Sequence, residues 1–285
     1  MNLTKHWAAT LDDYVIDLAW SPDGQALAAA SAAGPVSLFA TADGAKRHEL
    51  PGHDGGTNAI AFAPALQTTG DGGPGTEDGE RKIRDRTPAT DAGGPLRSPA
   101  AGLPSPVLLA TGGQDGSVKF WDAAAGQHAA TAKLGSAWVE HLAWQAIQQP
   151  EPGSRTPAKG TPTGDPPPAA GVRHLASGFL LLAASGKSLH ALGPDGAVAH
   201  TFPPAPKTIT ALAWQPAPKS GDGSQRTEIS GSKPSSVLRP PSSAAAVAYF
   251  GGVCLWNGSD FTAQKEFAYA NGIHALVWSP DSKWL

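Results

Sequence analysis

The residues able to do chemistry in this chain are few and poorly grouped. Gly70-Asp71-Gly72-Gly73-Pro74-Gly75 fits a dinucleotide-binding GxGxxG pattern by letter. That motif works only where a strand feeds the turn and a helix leaves it, so that helix N–H groups meet the pyrophosphate. Neither flank here has strand or helix periodicity, and Pro74 stiffens the turn. Gly186-Lys187-Ser188 ends like a phosphate-binding loop, but the glycine required five positions earlier is Leu181, inside an apolar run. The nine histidines include no HExxH pair for zinc. Cys254, the single cysteine, excludes a disulfide framework and any CxxC knuckle. No Gly-x-Ser-x-Gly elbow and no nucleophile–base pair can be read. Asn257-Gly258-Ser259 has the letters of a glycosylation acceptor but reads better as a tight turn between strands. Neither catalysis nor a bound cofactor or metal is expected.

Composition narrows the class. Gly (34) and Pro (27) make up about a fifth of the 285 residues, against an average of about 12 %. Charged residues are 16 %, below the usual value of about 25 %. A mixture of folded elements and disordered stretches is expected. The net charge of −3 provides no basic field for a nucleic acid or an anionic membrane. The longest strongly apolar run, Phe179 to Ala184, is far too short to span a bilayer, and Met1 to Leu18 has no signal-peptide core. A soluble, cytoplasmic protein is the expectation.

Any chemistry must be positioned by a repeat. The pattern apolar-x-x-apolar-Ala/Val-aromatic recurs at Val15–Trp20, Thr57–Phe62, Val139–Trp144, Ile209–Trp214 and Ile273–Trp278. The closing aromatics are 42, 82, 70 and 64 residues apart. Residues 65–104, 146–171 and 217–243 are rich in Pro, Gly, Ser, Thr and Ala, and cannot bury enough apolar surface to offset the entropy of ordering them. Set aside as disordered inserts, they leave spacings of 42, 42, 44 and 37. A period of about 40–45 residues is that of a four-stranded propeller blade. Each unit reads as four short strands, a to d. Strand b covers Leu27–Ser31, Val107–Thr111, Phe179–Ala184 and Ala246–Phe250. Strand c covers Val36–Phe39, Val118–Trp121, Ser188–Ala191 and Val253–Trp256.

The run Leu109-Ala110-Thr111-Gly112-Gly113-Gln114-Asp115-Gly116-Ser117-Val118-Lys119-Phe120-Trp121-Asp122 resembles the signature of the WD40 repeat family. Gly52-His53 resembles the family's Gly-His pair, and the Ser-Pro-Asp turns after Trp20 and Trp278 match as well. The resemblance implies an all-β, WD40-type β-propeller in one domain over 1–285, with four recognisable blades and the start of a fifth. A closed ring of this family typically has seven, so the chain is expected to be C-terminally incomplete, or to associate. The family's structural tetrad carries over to one repeat only, as His53, Thr111, Asp115 and Trp121. Ala29, Ala33 and Phe39 stand in those places in the first repeat, and Leu192 is near the Trp position of the third. The fourth keeps Trp256 but no Asp.

All three inserts fall in the a–b connection, on one face of such a propeller. The mixed-charge run Glu80 to Arg86 in the first reads as a solvated segment. The opposite, compact face carries the d–a and b–c turns. Trp138, Tyr14, Lys207, Asn271 and Gln114 fall there and are the candidate protein-binding residues. The resemblance implies a non-catalytic scaffold with a protein or peptide partner, and no nucleic acid or membrane. The alternative is a small-ligand- or metal-binding propeller using the central channel, where His141, His274, Glu140 and Asp17 are expected.

Overall fold

The computed structural model describes residues 4–65, 107–146, 178–216 and 243–285. The inserts expected from composition lie outside the described residues, apart from their edges. Ala146, assigned to an insert, instead ends a strand, because Phe179 pairs with it across the ladder.

Four four-stranded antiparallel sheets form, each a meander in sequence order. Blade 1 holds β1 (Val15–Trp20), β2 (Ala26–Ser31), β3 (Val36–Ala40) and β4 (Lys46–Leu50). Blade 2 holds β5 (Thr57–Phe62), β6 (Leu108–Gly113), β7 (Ser117–Asp122) and β8 (Gln127–Lys133). Blade 3 holds β9 (Val139–Ala146), β10 (Phe179–Ser185), β11 (Ser188–Leu192) and β12 (Val198–Thr201). Blade 4 holds β13 (Ile209–Trp214), β14 (Ala244–Tyr249), β15 (Gly252–Asn257) and β16 (Ala263–Ala268). The described residues contain no helix. Ile273–Trp278, read as the first strand of a fifth unit, forms no ladder. A strand exists only against a neighbour, and none is present beside it. It is held to blade 4 instead by Ile273, Leu276 and Trp278, which pack on Ala211, Ala246, Ala248 and Val253.

Strands b lack the polar–apolar alternation of a half-exposed strand because both faces are covered. In β10, Leu181 and Ala183 pack toward blade 2 with Phe120 and Val139, while Leu180, Leu182 and Ala184 pack toward blade 4 with Ile209 and Val247. Burying apolar side chains on both faces is the main favourable term, at about 1.5–3 kcal/mol for a Leu or Phe. Strands d are the outer edges and are polar and exposed, as in β16.

Two irregularities recur in every blade. The a–b ladder slips at the second residue of strand a, leaving Ile16, Asn58, Glu140 and Thr210 as the extra residue. The c–d ladder slips beside Phe39, Trp121, Leu192 and Trp256. Bulges bend a strand and re-aim side chains. They mark all four sheets as copies of one unit, including those that lack the tetrad residues.

Candidate functional site

The densest polar network sits in blade 2. His53, 3 % exposed, lies between the Gly52 turn and the start of β5. Its Nδ1 is 3.0 Å from Asp115 Oδ1, and its Nε2 is 2.8 Å from Thr111 Oγ1. Trp121 Nε1 donates to the same Thr111 oxygen at 3.0 Å. With the neutral ring, the short contacts are all satisfied. The indole N–H donates to Thr111, the Thr111 hydroxyl donates to Nε2, and Nδ1–H donates to the Asp115 carboxylate. A protonated His53 would leave the Thr111 hydroxyl only the Lys119 carbonyl to donate to, at 3.5 Å. Burial holds His53 below its ordinary pKa, against the opposing pull of Asp115, so the neutral ring is the stable form. Burial alone would raise Asp115. Hydrogen bonds from the Ser117 hydroxyl and amide, with His53, outweigh it and hold the carboxyl below the usual range. Ser117 is thus a fifth member, two residues beyond the aspartate, that the sequence reading missed. Gly113 explains how the ring fits: a Cβ there would lie 2.2 Å from His53 Cγ. With every partner internal, the network can hold the turn shape but offers nothing to a substrate.

A second polar system joins neighbouring blades. Trp144 Nε1 donates to Ala61 O at 2.9 Å, Trp214 Nε1 to Ala143 O at 3.0 Å, and Trp278 Nε1 to Ala213 O at 3.4 Å. In each case the aromatic that closes one repeat reaches the residue just before the aromatic of the preceding repeat. Phe62 has no N–H to give. There the Asp17 carboxylate accepts the Ile60 amide at 2.9 Å and joins blades 1 and 2 instead.

The meander places the d–a and b–c turns at one end of every blade. Trp138 is there, 51 % exposed, on the loop before β9. Ser185 Oγ fixes that loop by donating to Ala137 O at 2.6 Å. Tyr14 holds the matching place before β1 and is 81 % exposed. Lys207 and Asn271 are exposed on the corresponding loops. Gln114 is not a free surface group. It is half-buried, its Nε2 faces Asn58 Oδ1 at 3.4 Å, and its side chain covers Gly55 and Gly56.

The strands a line a central cavity of about 230 Å³, with Asp17, Glu140, His141 and His274 among its walls. Burial holds His141 below its ordinary pKa, with Glu140, the Ile209 backbone and Asp17 opposing. These groups do not converge: among the described residues, no three His, Cys, Asp or Glu are placed to hold a metal ion.

The family described as WD domain, G-beta repeat, matches residues 101–122. The chain carries a WD40 repeat. The match ends at the Trp121-Asp122 pair, within the blade that holds the tetrad. Among solved structures, the chain resembles a chain of a crystal structure of the mitotic checkpoint complex, with a TM-score of 0.56 and 14 % identity. That likeness covers 96 % of this chain and 58 % of the other, so this chain spans under two thirds of its neighbour's length. No curated protein matches the sequence. The other three blades depart from the blade 2 network in the way their sequences imply. Ala29 and Ser37 fill the positions of Thr111 and Lys119 in blade 1, and Phe39 that of Trp121. Leu192 and Trp256 occupy the Trp121 position in blades 3 and 4, packing respectively toward Leu181 and against Phe202.

Proposed function

We propose that this chain is a non-catalytic interaction platform, acting in the cytoplasm, that binds a protein or peptide on the rim bearing the d–a and b–c turns. Trp138 carries the reading. Most exposed large hydrophobics lie at the two flanks of the blade array, where exposure follows from having no neighbouring blade. Trp138 belongs to an interior blade and is exposed all the same. Tyr14, at the matching place in blade 1, is exposed on the flank. A rigid aromatic on a loop already fixed by hydrogen bonds is the kind of group that concentrates binding energy. The solved neighbour belongs to a multiprotein complex, which agrees with protein partners but names none for this chain.

The test is recovery of partners on immobilised wild type, Trp138→Ala and Val198→Ala, the last being exposed away from this rim. Loss with Trp138→Ala alone, at unchanged melting temperature, is the expected result. Equal recovery from all three removes Trp138 from the binding surface and this reading with it.

A further inference from the structure

Trp138 stands on a loop held from both sides. On the blade 2 side, the Leu134 amide donates to Gly116 O at 2.9 Å, and a Cβ on Gly116 would lie 2.3 Å from Gly135 O. On the blade 3 side, Ser185 Oγ donates to Ala137 O, and a Cβ on Gly186 would lie 3.4 Å from Ala137 Cβ. The same blade 3 turn reaches the next loop. Lys187 O accepts the Ala205 amide at 2.9 Å, and Gly186 O accepts the Ile209 amide at 2.8 Å. The loops carrying Trp138 and Lys207 are therefore tied together through Gly186-Lys187. Pro203, Pro204 and Pro206, all exposed, stiffen the second loop.

Three lysines fall on this framework. Lys133 ends β8 just before the Trp138 loop, Lys187 is in the β10–β11 turn, and Lys207 lies two residues before β13. All three are exposed. Lys133 Nζ donates to Asp115 O, a neutral carbonyl. Among the described residues, the lysines paired with a carboxylate are Lys46 and Lys283, with Glu49 and Asp281. The carboxylates closest along the chain are engaged or face elsewhere. Asp115 takes the His53 ring and the Ser117 hydroxyl and amide, and Glu140 lines the central cavity. Asp54 stands one seam away, on the loop between blades 1 and 2. The chain as a whole carries −3, so three unpaired cations around one exposed indole reverse the sign locally. The patch spans two closed seams, between blades 2 and 3 and between blades 3 and 4. Its shape and exposure do not come from the flanks of the array.

Resting on the reading of Trp138 as a contact residue, we propose that this rim binds a partner-protein segment in which Asp and Glu flank an apolar residue. The apolar side chain rests on Trp138, and the carboxylates meet Lys187 and Lys207. Charge complementarity selects carboxylates, because the patch offers cations whose own chain leaves them unpaired. A single exposed ion pair contributes little. Two or three beside an indole that excludes water act together at a lower local dielectric. A nucleic acid needs a longer basic track along its backbone than three lysines supply.

The probe is a display library of random peptides, selected on the immobilised full chain at low salt. Recovered sequences should carry an excess of Asp and Glu beside an aliphatic or aromatic residue. A synthetic peptide of the consensus should bind the Lys187→Glu, Lys207→Glu double variant at least tenfold more weakly than wild type, at unchanged melting temperature. Raised salt should weaken its binding to wild type. The Lys5→Glu, Lys265→Glu double variant makes the same change in net charge at exposed residues of the chain start and of β16, and should bind as wild type does. The same peptide with its carboxylates changed to lysines should prefer the Lys187→Glu, Lys207→Glu protein. No recovered peptide, no acidic excess, equal binding by the Lys187→Glu, Lys207→Glu protein, or ready displacement by a single-stranded oligonucleotide overturns the acidic segment. Trp138→Ala separates this from the broader reading of the rim. Neutral or basic peptides that still need Trp138 overturn the acidic segment and leave the rim as a binding surface. Peptides indifferent to Trp138 overturn both.

Discussion

At the residue level, His53 is the point on which blade 2 turns. Replacing His53, Thr111 or Asp115 with Ala leaves at least one buried polar group without its partner, a loss of about 1–3 kcal/mol. Gly113→Ala should cost at least as much, because its Cβ would overlap the imidazole. Denaturant unfolding of the four variants measures this. A His53→Ala midpoint equal to wild type would show that the network contributes nothing. The same chemistry sets a pH dependence. His53, His141, His190 and His200 are all held below their ordinary value by burial. The unfolded chain therefore takes up protons more readily than the folded one. Stability from these groups is complete above the unfolded value, near 6.5, and is lost as pH falls through it toward the folded values. The melting temperature should drop between about pH 7 and about pH 5, and a flat profile would contradict the buried neutral rings. The four tetrad residues were legible in the sequence because the family motif prints them in order. Ser117 was not, since a serine in a turn is ordinary until its hydroxyl is seen on Asp115. Gln114 lies in the b–c turn where the sequence puts it, but only the packing shows its side chain lying across Gly55 and Gly56.

At the scale of the element, the seam between blades is a strand-a aromatic reaching back one repeat. Trp144→Phe or Trp214→Phe removes one hydrogen bond and leaves most of the apolar contact, so each should cost about 0.5–1.5 kcal/mol. The two bonds sit in different seams, and the double variant should be close to additive. A melting series reads both values, and strong non-additivity would mean that the seams are mechanically coupled through blade 3. The strands themselves were readable to within one or two residues, because aromatic-closed repeats and Gly turns bound them tightly. The paired bulges were not, since they come from how strands meet rather than from any residue type: Ile16, Asn58, Glu140 and Thr210 share a position and nothing else. Ile273–Trp278 has the sequence of a strand without being one, since propensity cannot supply the neighbour that a ladder requires.

At the scale of the molecule, the main strand-to-strand packing between blades joins sequence neighbours, so stability is close to a sum of blade and seam terms. Blades 2 and 3 each have two seams. Blade 1 has one, and its strand a presents an uncovered face; blade 4 is covered on its outer side only by the Ile273–Trp278 segment. Opening should therefore begin at the flanks and move inward. Native-state hydrogen exchange should show the slowest amides in β6, β7, β10 and β11. Those of β1, β15 and β16 should exchange faster by at least the equilibrium constant of one lost seam. A seam holds several side chains such as Leu38, Ile60 and Leu109, each contributing about 1.5–3 kcal/mol when buried, so the difference should exceed a factor of ten. Uniform protection across all four blades would show instead that the array unfolds as one cooperative unit. The one-dimensional description would then fail, whatever the individual seams contribute.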